Sequence, residues 1–178
     1  MCRDLSYFHR PDTGDVCVAV LNSHADTEKQ LKLNLKLWRE GHYLPDGTIE
    51  ARVAPEDRTT AHECAERIRA RWPRFVDFFA WALKTTNQEE KYGNHLDLSG
   101  LTSAQGLVLP KTVGGYIDLG GLTSADGLVL PKSIGGSIYL GGLTSAQGLV
   151  LPKTVGGNLY LRGRCGKLEE FTKEGEAQ

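Results

Sequence analysis

The chain has 178 residues, with 21 Lys and Arg, 22 Asp and Glu, and a formal net charge of −1 at pH 7. Residues 1–95 carry 14 basic and 15 acidic side chains and residues 96–178 carry seven of each, so neither half has the charge excess of a polyanion-binding surface. This balance disfavours a purely electrostatic partner, nucleic acid included.

The spacing of the cysteines and the hydropathy of the chain indicate the cellular compartment of the protein. The cysteines show no CxxC spacing and no disulfide framework, which favours a reducing compartment. The N-terminal stretch lacks the apolar core of a signal peptide, and no run approaches the ~18 apolar residues that cross a bilayer. We therefore expect a soluble, cytoplasmic protein without a membrane partner.

The chain begins with a strand pattern. Residues 6–9 and 16–21, joined by a turn at 11–14, predict a β-hairpin with one buried arm. A second turn at 45–47 leads into a short predicted strand at 48–53. These elements predict a small sheet in the N-terminal region.

Helices are predicted on both sides of that turn. Residues 25–40 favour a helix that ends at Gly41 because Lys, Gln and Glu dominate, although the leucines within it alternate as they do in strands. A second helix is indicated by apolar residues at helical spacing, and Pro73 ends it. Its apolar stripe comprises Ala61, Cys64, Ile68 and Trp72.

The next segment, residues 75–83, is apolar around most of its circumference, which predicts a helix buried on more than one side. The open end of a repeat array needs a cover, so we expect this helix to lie over the first repeat, with residues 88–94 as a connection.

The second half of the chain is repetitive. Residues 101–115, LTSAQGLVLPKTVGG, recur letter for letter at 143–157, and a near copy occupies 122–136. A period of 21 residues is too short for a unit that buries its own apolar face, so the copies must stack on a shared core. We predict an α+β domain over 1–94, a three-coil solenoid over 95–163 and a charged tail over 164–178.

Within the repeat, the pattern LxL predicts a strand whose residues Ile117 and Leu119 point inward. A second apolar run, residues 107–109, predicts another strand that ends at Pro110. The pair Gly114-Gly115 is expected to supply the backbone freedom for a corner.

These features resemble bacterial and phage leucine-rich repeats, which combine an LxL strand, a further leucine and a Leu-Pro step, here Leu119, Leu122 and Leu130-Pro131. The resemblance covers about residues 96–163 and implies an LRR-like parallel β-solenoid that binds partners on its strand face. The asparagine usual after the strand is absent, and glycine stands near that place, so a more general β-solenoid stays open.

The copies differ mainly at the outward positions of the LxL strand. Parallel stacking places these positions in columns on one surface, with two acids at one end and two tyrosines at the other. Either selection for a contact or drift after tandem duplication explains the differences. The candidate partner-binding residues are Asp97, Tyr116, Asp118, Tyr139, Asn158, Tyr160 and Arg162.

Reactive side chains are few. The cluster His62-Glu63-Cys64, with Cys17 or His24, suggests a nucleophile or a zinc site, but Cys64 lies on the apolar stripe and no ligand pair has metal spacing. We expect no catalytic residue, metal or cofactor. A solvated helix face is the favoured role of the basic residues Arg67, Arg69, Arg71 and Arg74.

The predicted function is a non-catalytic protein-interaction module, an adaptor or an inhibitor that occludes a partner protein. By analogy, such proteins include inhibitors of host defence carried by mobile elements. An enzyme with its site in the N-terminal domain and a carbohydrate-binding module are the alternatives.

The far end of the solenoid predicts self-association. The last strand has no following coil, so Leu159 and Leu161 form an exposed end. Either the tail at 168–171 folds back over it, or the same edge of a second copy covers it in a homodimer, which is the favoured alternative.

Overall fold

The computed structural model describes residues 6–10, 13, 16–19, 39–51, 58–161 and 164–167. The chain divides into two compact units, residues 1–86 and residues 87–178. In the described part, no helix has the length and apolar character needed to cross a membrane.

The first unit contains an antiparallel sheet whose four strands lie in the order β2-β1-β3-β4. The predicted hairpin is confirmed, because β1 and β2 pair directly. The strands are β1 (Ser6–His9), β2 (Val16–Ala19), β3 (Arg39–Tyr43) and β4 (Ile49–Ala51).

The helix predicted over 25–40 is wrong at its end, because Arg39 and Glu40 belong to β3 and pair with β1. Residues 25–38 lie outside the described part. Gly41 is a strand residue rather than a helix terminator, and a Cβ there would overlap the ring of Tyr7. Pairing with a buried strand overrides helix propensity at this point.

Two helices follow, α1 (Arg58–Arg71) and α2 (Phe75–Thr85), as predicted. Helix α2 buries most of its apolar residues, and Phe78 is fully buried. The Phe78 ring lies 5.3 Å from that of Tyr43, 5.4 Å from Trp72 and 6.4 Å from Tyr7. The core of this unit is therefore an aromatic cluster built around one helix residue.

The second unit contains a parallel β-solenoid of about three turns, in which strands one repeat of 21 residues apart pair with each other. Two sheets enclose a leucine- and isoleucine-rich core. The first sheet contains β6 (Leu96–Asp97), β8 (Ile117–Asp118), β10 (Ile138–Leu140) and β12 (Leu159–Leu161). The second contains β5 (Lys91–Tyr92), β7 (Thr112–Val113), β9 (Ser133–Ile134) and β11 (Thr154–Val155).

The second strand of each coil lies after the proline and not before it, so the strand predicted at 107–109 is wrong. Val108 in that run is 54% exposed. Backbone pairing starts directly after Pro110, where the Lys111 amide donates to the Glu89 carbonyl at 3.0 Å. Strand β5 likewise lies within residues 88–94, which had been predicted as a connection.

The glycines act differently from the prediction. The left-handed turns fall at Gly106, Gly127 and Gly148 and not at the Gly-Gly pairs. The pairs instead permit close approach of successive coils, since a Cβ on Gly135 would overlap the carbonyl oxygen of Gly114.

The far end of the solenoid is covered by the chain itself. Strand β13 (Arg164–Gly166) pairs antiparallel with β12, so the prediction of an unpaired last strand is wrong. Leu159 is fully buried and Leu161 is 9% exposed. The homodimer remains a prediction, but an open β12 edge no longer supports it.

Candidate binding surface

The outward residues of the first sheet form one surface, which we call the strand face. Strand register places Asp97 beside Asp118, Asp118 beside Tyr139, and Tyr139 beside Tyr160. The structure thus aligns the predicted columns, while Arg162 lies outside the described residues. The strand face comprises His95, Asp97, Tyr116, Asp118, Ser137, Tyr139, Asn158 and Tyr160.

Four rings on the strand face contact one another in sequence, and we call them the aromatic row. His95 and Tyr116 stack with centroids 4.3 Å apart and an interplanar angle of 15°. Tyr116 meets Tyr139 edge to face at 5.9 Å and 89°. Tyr139 and Tyr160 stack at 4.6 Å and 12°. The row runs from the first to the last of the four parallel strands without a gap.

The stacking follows from the parallel register. Side chains at equivalent positions of parallel strands lie about 4.8 Å apart, close to the spacing at which flat rings contact face to face. The facing sides of the Tyr139 and Tyr160 rings therefore cover each other, and the three tyrosines of the row are half-buried.

The two aspartates have a structural role that the sequence did not reveal. Asp97 Oδ1 accepts hydrogen bonds from the Ser99 amide at 3.0 Å and from its hydroxyl at 2.7 Å. Asp118 Oδ1 accepts one from the Gly120 amide at 2.8 Å. Each carboxylate caps its strand, so β6 and β8 end at Asp, whereas β10 and β12 continue one residue beyond Tyr.

A second structural role belongs to the column that begins with His95. The His95 Nδ1 accepts a hydrogen bond from the Tyr116 amide at 3.1 Å. Two coils later, the Ser137 hydroxyl accepts one from the Asn158 amide at 3.1 Å. These side chains tie neighbouring coils together and orient the strand face.

A surface that sequence reasoning missed is the valine ridge, composed of Val108, Val129 and Val150. Their exposed fractions are 54%, 74% and 76%. The recurrence of LVLP in each copy carries the signal, but an apolar run that ends at a proline also predicts a strand. Three valines at equivalent positions of the repeat make a narrow apolar strip. Its area is smaller than the area of about 800 Å² that a stable interface buries on each partner.

The cluster His62-Glu63-Cys64 is not brought together as a reactive site. His62 and Glu63 are exposed, whereas Cys64 is buried. Burial raises the pKa of the Cys64 thiol, with a smaller opposing effect from Arg67, so the nucleophilic thiolate is disfavoured. Within the described residues no group of three His, Cys, Asp or Glu could hold a metal ion.

Three of the four arginines predicted to form a solvated helix face contact neighbouring side chains. Arg69 forms an ion pair with Glu66 at 2.5 Å, and Arg74 pairs with Asp77 at 2.6 Å. The Arg71 guanidinium lies 4.6 Å from the ring centroid of Trp72. This arrangement fits the predicted solvated helix face better than a phosphate site.

Comparison of the chain with protein-family models, curated proteins and solved structures gives no match. What the protein does must therefore follow from the chemistry of its own surface.

Proposed function

We propose that the protein is a non-catalytic protein-interaction module, an adaptor or an inhibitor, that binds a partner protein through the strand face. The observation that supports this proposal is the aromatic row, whose rings contact one another across the four parallel strands of the sheet. Tyrosine provides a large contact area with few rotatable bonds and is enriched at the energetic centres of protein interfaces.

The row also stabilises the solenoid, since an aromatic pair contributes about 0.5–1.5 kcal/mol beyond the area it buries. Stability alone does not account for tyrosine. Phenylalanine would stack equally well, whereas tyrosine adds a hydroxyl at its rim that donates and accepts hydrogen bonds. Half-buried tyrosines, which expose part of a ring and can also form hydrogen bonds, suit a wet, specific protein contact.

The proposal is tested by site-specific photocrosslinking in a lysate of the source cells. A photoreactive side chain fits at Gly141, next to Tyr139, because a Cβ there meets nothing within 4 Å. The matched position is Val129 on the valine ridge, which is 74% exposed. We expect the probe at Gly141, and not the probe at Val129, to crosslink one specific protein.

A pair of variants separates binding from folding. The Tyr139→Ala, Tyr160→Ala double variant should abolish the crosslink from position 141. Ile138→Val should retain it, because this change costs about 0.5–1.5 kcal/mol of stability on the inner side of the same sheet and leaves the strand face intact. Equal crosslinking from both positions, or a crosslink that survives loss of both tyrosines, would contradict the proposal.

A further inference from the structure

The acidic end of the strand face carries charge that its structural role does not require. Asp97 and Asp118 are direct neighbours in register, so their side chains lie about 5 Å apart. Like charges placed opposite each other destabilise a sheet. Neither carboxylate forms an ion pair with any residue in the part of the chain that the structure describes.

The capping role of these aspartates does not explain the charge. An asparagine side-chain oxygen accepts the same hydrogen bond from the amide two residues on, as an aspartate does in such turns. Two asparagines would keep both caps and remove the repulsion between Asp97 and Asp118. The capping role therefore does not account for the negative charge, which can bind a cationic group outside the described part of this chain.

The capping bonds also orient the pair. Each aspartate binds its own strand end through Oδ1, so both carboxylates are held in the same way one coil apart. A guanidinium is planar, carries five N–H donors and binds carboxylates in a bidentate manner. One arginine side chain can bridge two carboxylates at this spacing.

The distance from the aspartate pair to the tyrosines sets a second requirement on a segment that binds both. The centre of the aspartate pair and the centre of the Tyr139–Tyr160 pair are two coils apart, about 10 Å. A peptide in the polyproline II conformation has three residues per turn and rises about 3.1 Å per residue, so side chains three residues apart point to the same side and are separated by about this distance.

From this geometry we infer the kind of partner segment that the strand face binds, an inference that rests on the proposed function. The segment is a peptide in the polyproline II conformation, with an arginine over Asp97 and Asp118 and, three residues away, an apolar side chain over Tyr139 and Tyr160. Charge complementarity selects the arginine, and the tyrosine rings supply the apolar contact.

The test is selection of a random 12-residue peptide library displayed on phage, with the full chain as bait. We expect enriched peptides to carry arginine three residues from an apolar side chain. The Asp97→Asn, Asp118→Asn double variant keeps both caps and should lose the arginine preference. A synthetic copy of an enriched peptide should bind this variant at least tenfold more weakly. Asp126→Asn removes one charge from an exposed turn of the second coil and should behave as the wild type.

The outcomes separate this inference from the proposed function. Enriched peptides without arginine, no enriched peptide, or an arginine preference that survives the double aspartate variant would overturn the inference. If peptides without arginine are enriched and their selection depends on Tyr139 and Tyr160, the proposed function stands. Selection that is insensitive to both the aspartate and the tyrosine variants would contradict both.

Discussion

Single glycines determine how closely the coils of the solenoid approach one another. Gly135 lies so near the preceding coil that a Cβ would overlap the backbone of Gly114, whereas a Cβ on Gly141 meets nothing within 4 Å. We predict that Gly135→Ala destabilises the protein by about 3 kcal/mol, because the backbone it meets cannot move aside. Gly141→Ala should change stability by less than about 0.5 kcal/mol. Urea unfolding of the two variants measures the difference, and equal stabilities would contradict the close-approach role.

Tyr7 is a second single residue with a predictable effect: it makes the stability of the protein fall at alkaline pH. Burial, with a smaller contribution from Cys64, raises the pKa of Tyr7 well above its ordinary value of 10.0. A raised folded-state pKa means that this stabilising contribution is complete below pH 10 and is lost as pH rises through the folded-state value. Between pH 8 and pH 11 the wild type should therefore lose more stability than Tyr7→Phe. Parallel urea midpoints for both proteins would show this, and identical losses would exclude it.

Among the helices and strands, α2 contains the side chain whose removal should lower the stability of the protein most. Phe78 is fully buried among Tyr7, Tyr43 and Trp72, so Phe78→Ala should cost about 3–5 kcal/mol. Trp81 on the same helix is only half-buried, and Trp81→Ala should cost clearly less. Thermal and urea unfolding of both variants provide the comparison. A larger cost at Trp81 would mean that the aromatic cluster is centred elsewhere.

Sequence repetition and long apolar patterns made part of the fold predictable. The period of 21 residues required stacked coils, and the alternation around Ile117 placed the first sheet. The second strands were not predictable, because a two-residue pair such as Thr112–Val113 carries no periodicity and the apolar run before Pro110 resembles a strand. The columns of the strand face followed from the repeat. Ring stacking and aspartate capping depend on side-chain geometry, which a pattern does not contain.

At the scale of the whole molecule, strand β13 determines whether the solenoid end can associate. A chain that ends at Leu161 lacks β13 and exposes the edge of β12, which is a template for pairing with another chain. We predict that the mass of this truncated chain, measured by light scattering, rises with protein concentration. The mass of the intact chain should rise less over the same concentrations. An intact dimer that Leu161→Lys converts to a monomer would instead place the contact at this end despite β13.

The central claim is that the strand face, and not another exposed surface, binds the partner protein. Calorimetric titration of the crosslinked partner with three forms of the intact chain tests it most directly: the wild type, Tyr139→Ala with Tyr160→Ala, and Val108→Thr with Val129→Thr and Val150→Thr. The tyrosine variant should bind at least about tenfold more weakly, since residues central to an interface contribute about 2 kcal/mol or more. The valine variant should bind as the wild type does. Unchanged affinity without the tyrosines, together with weaker binding by the valine variant, would contradict the account.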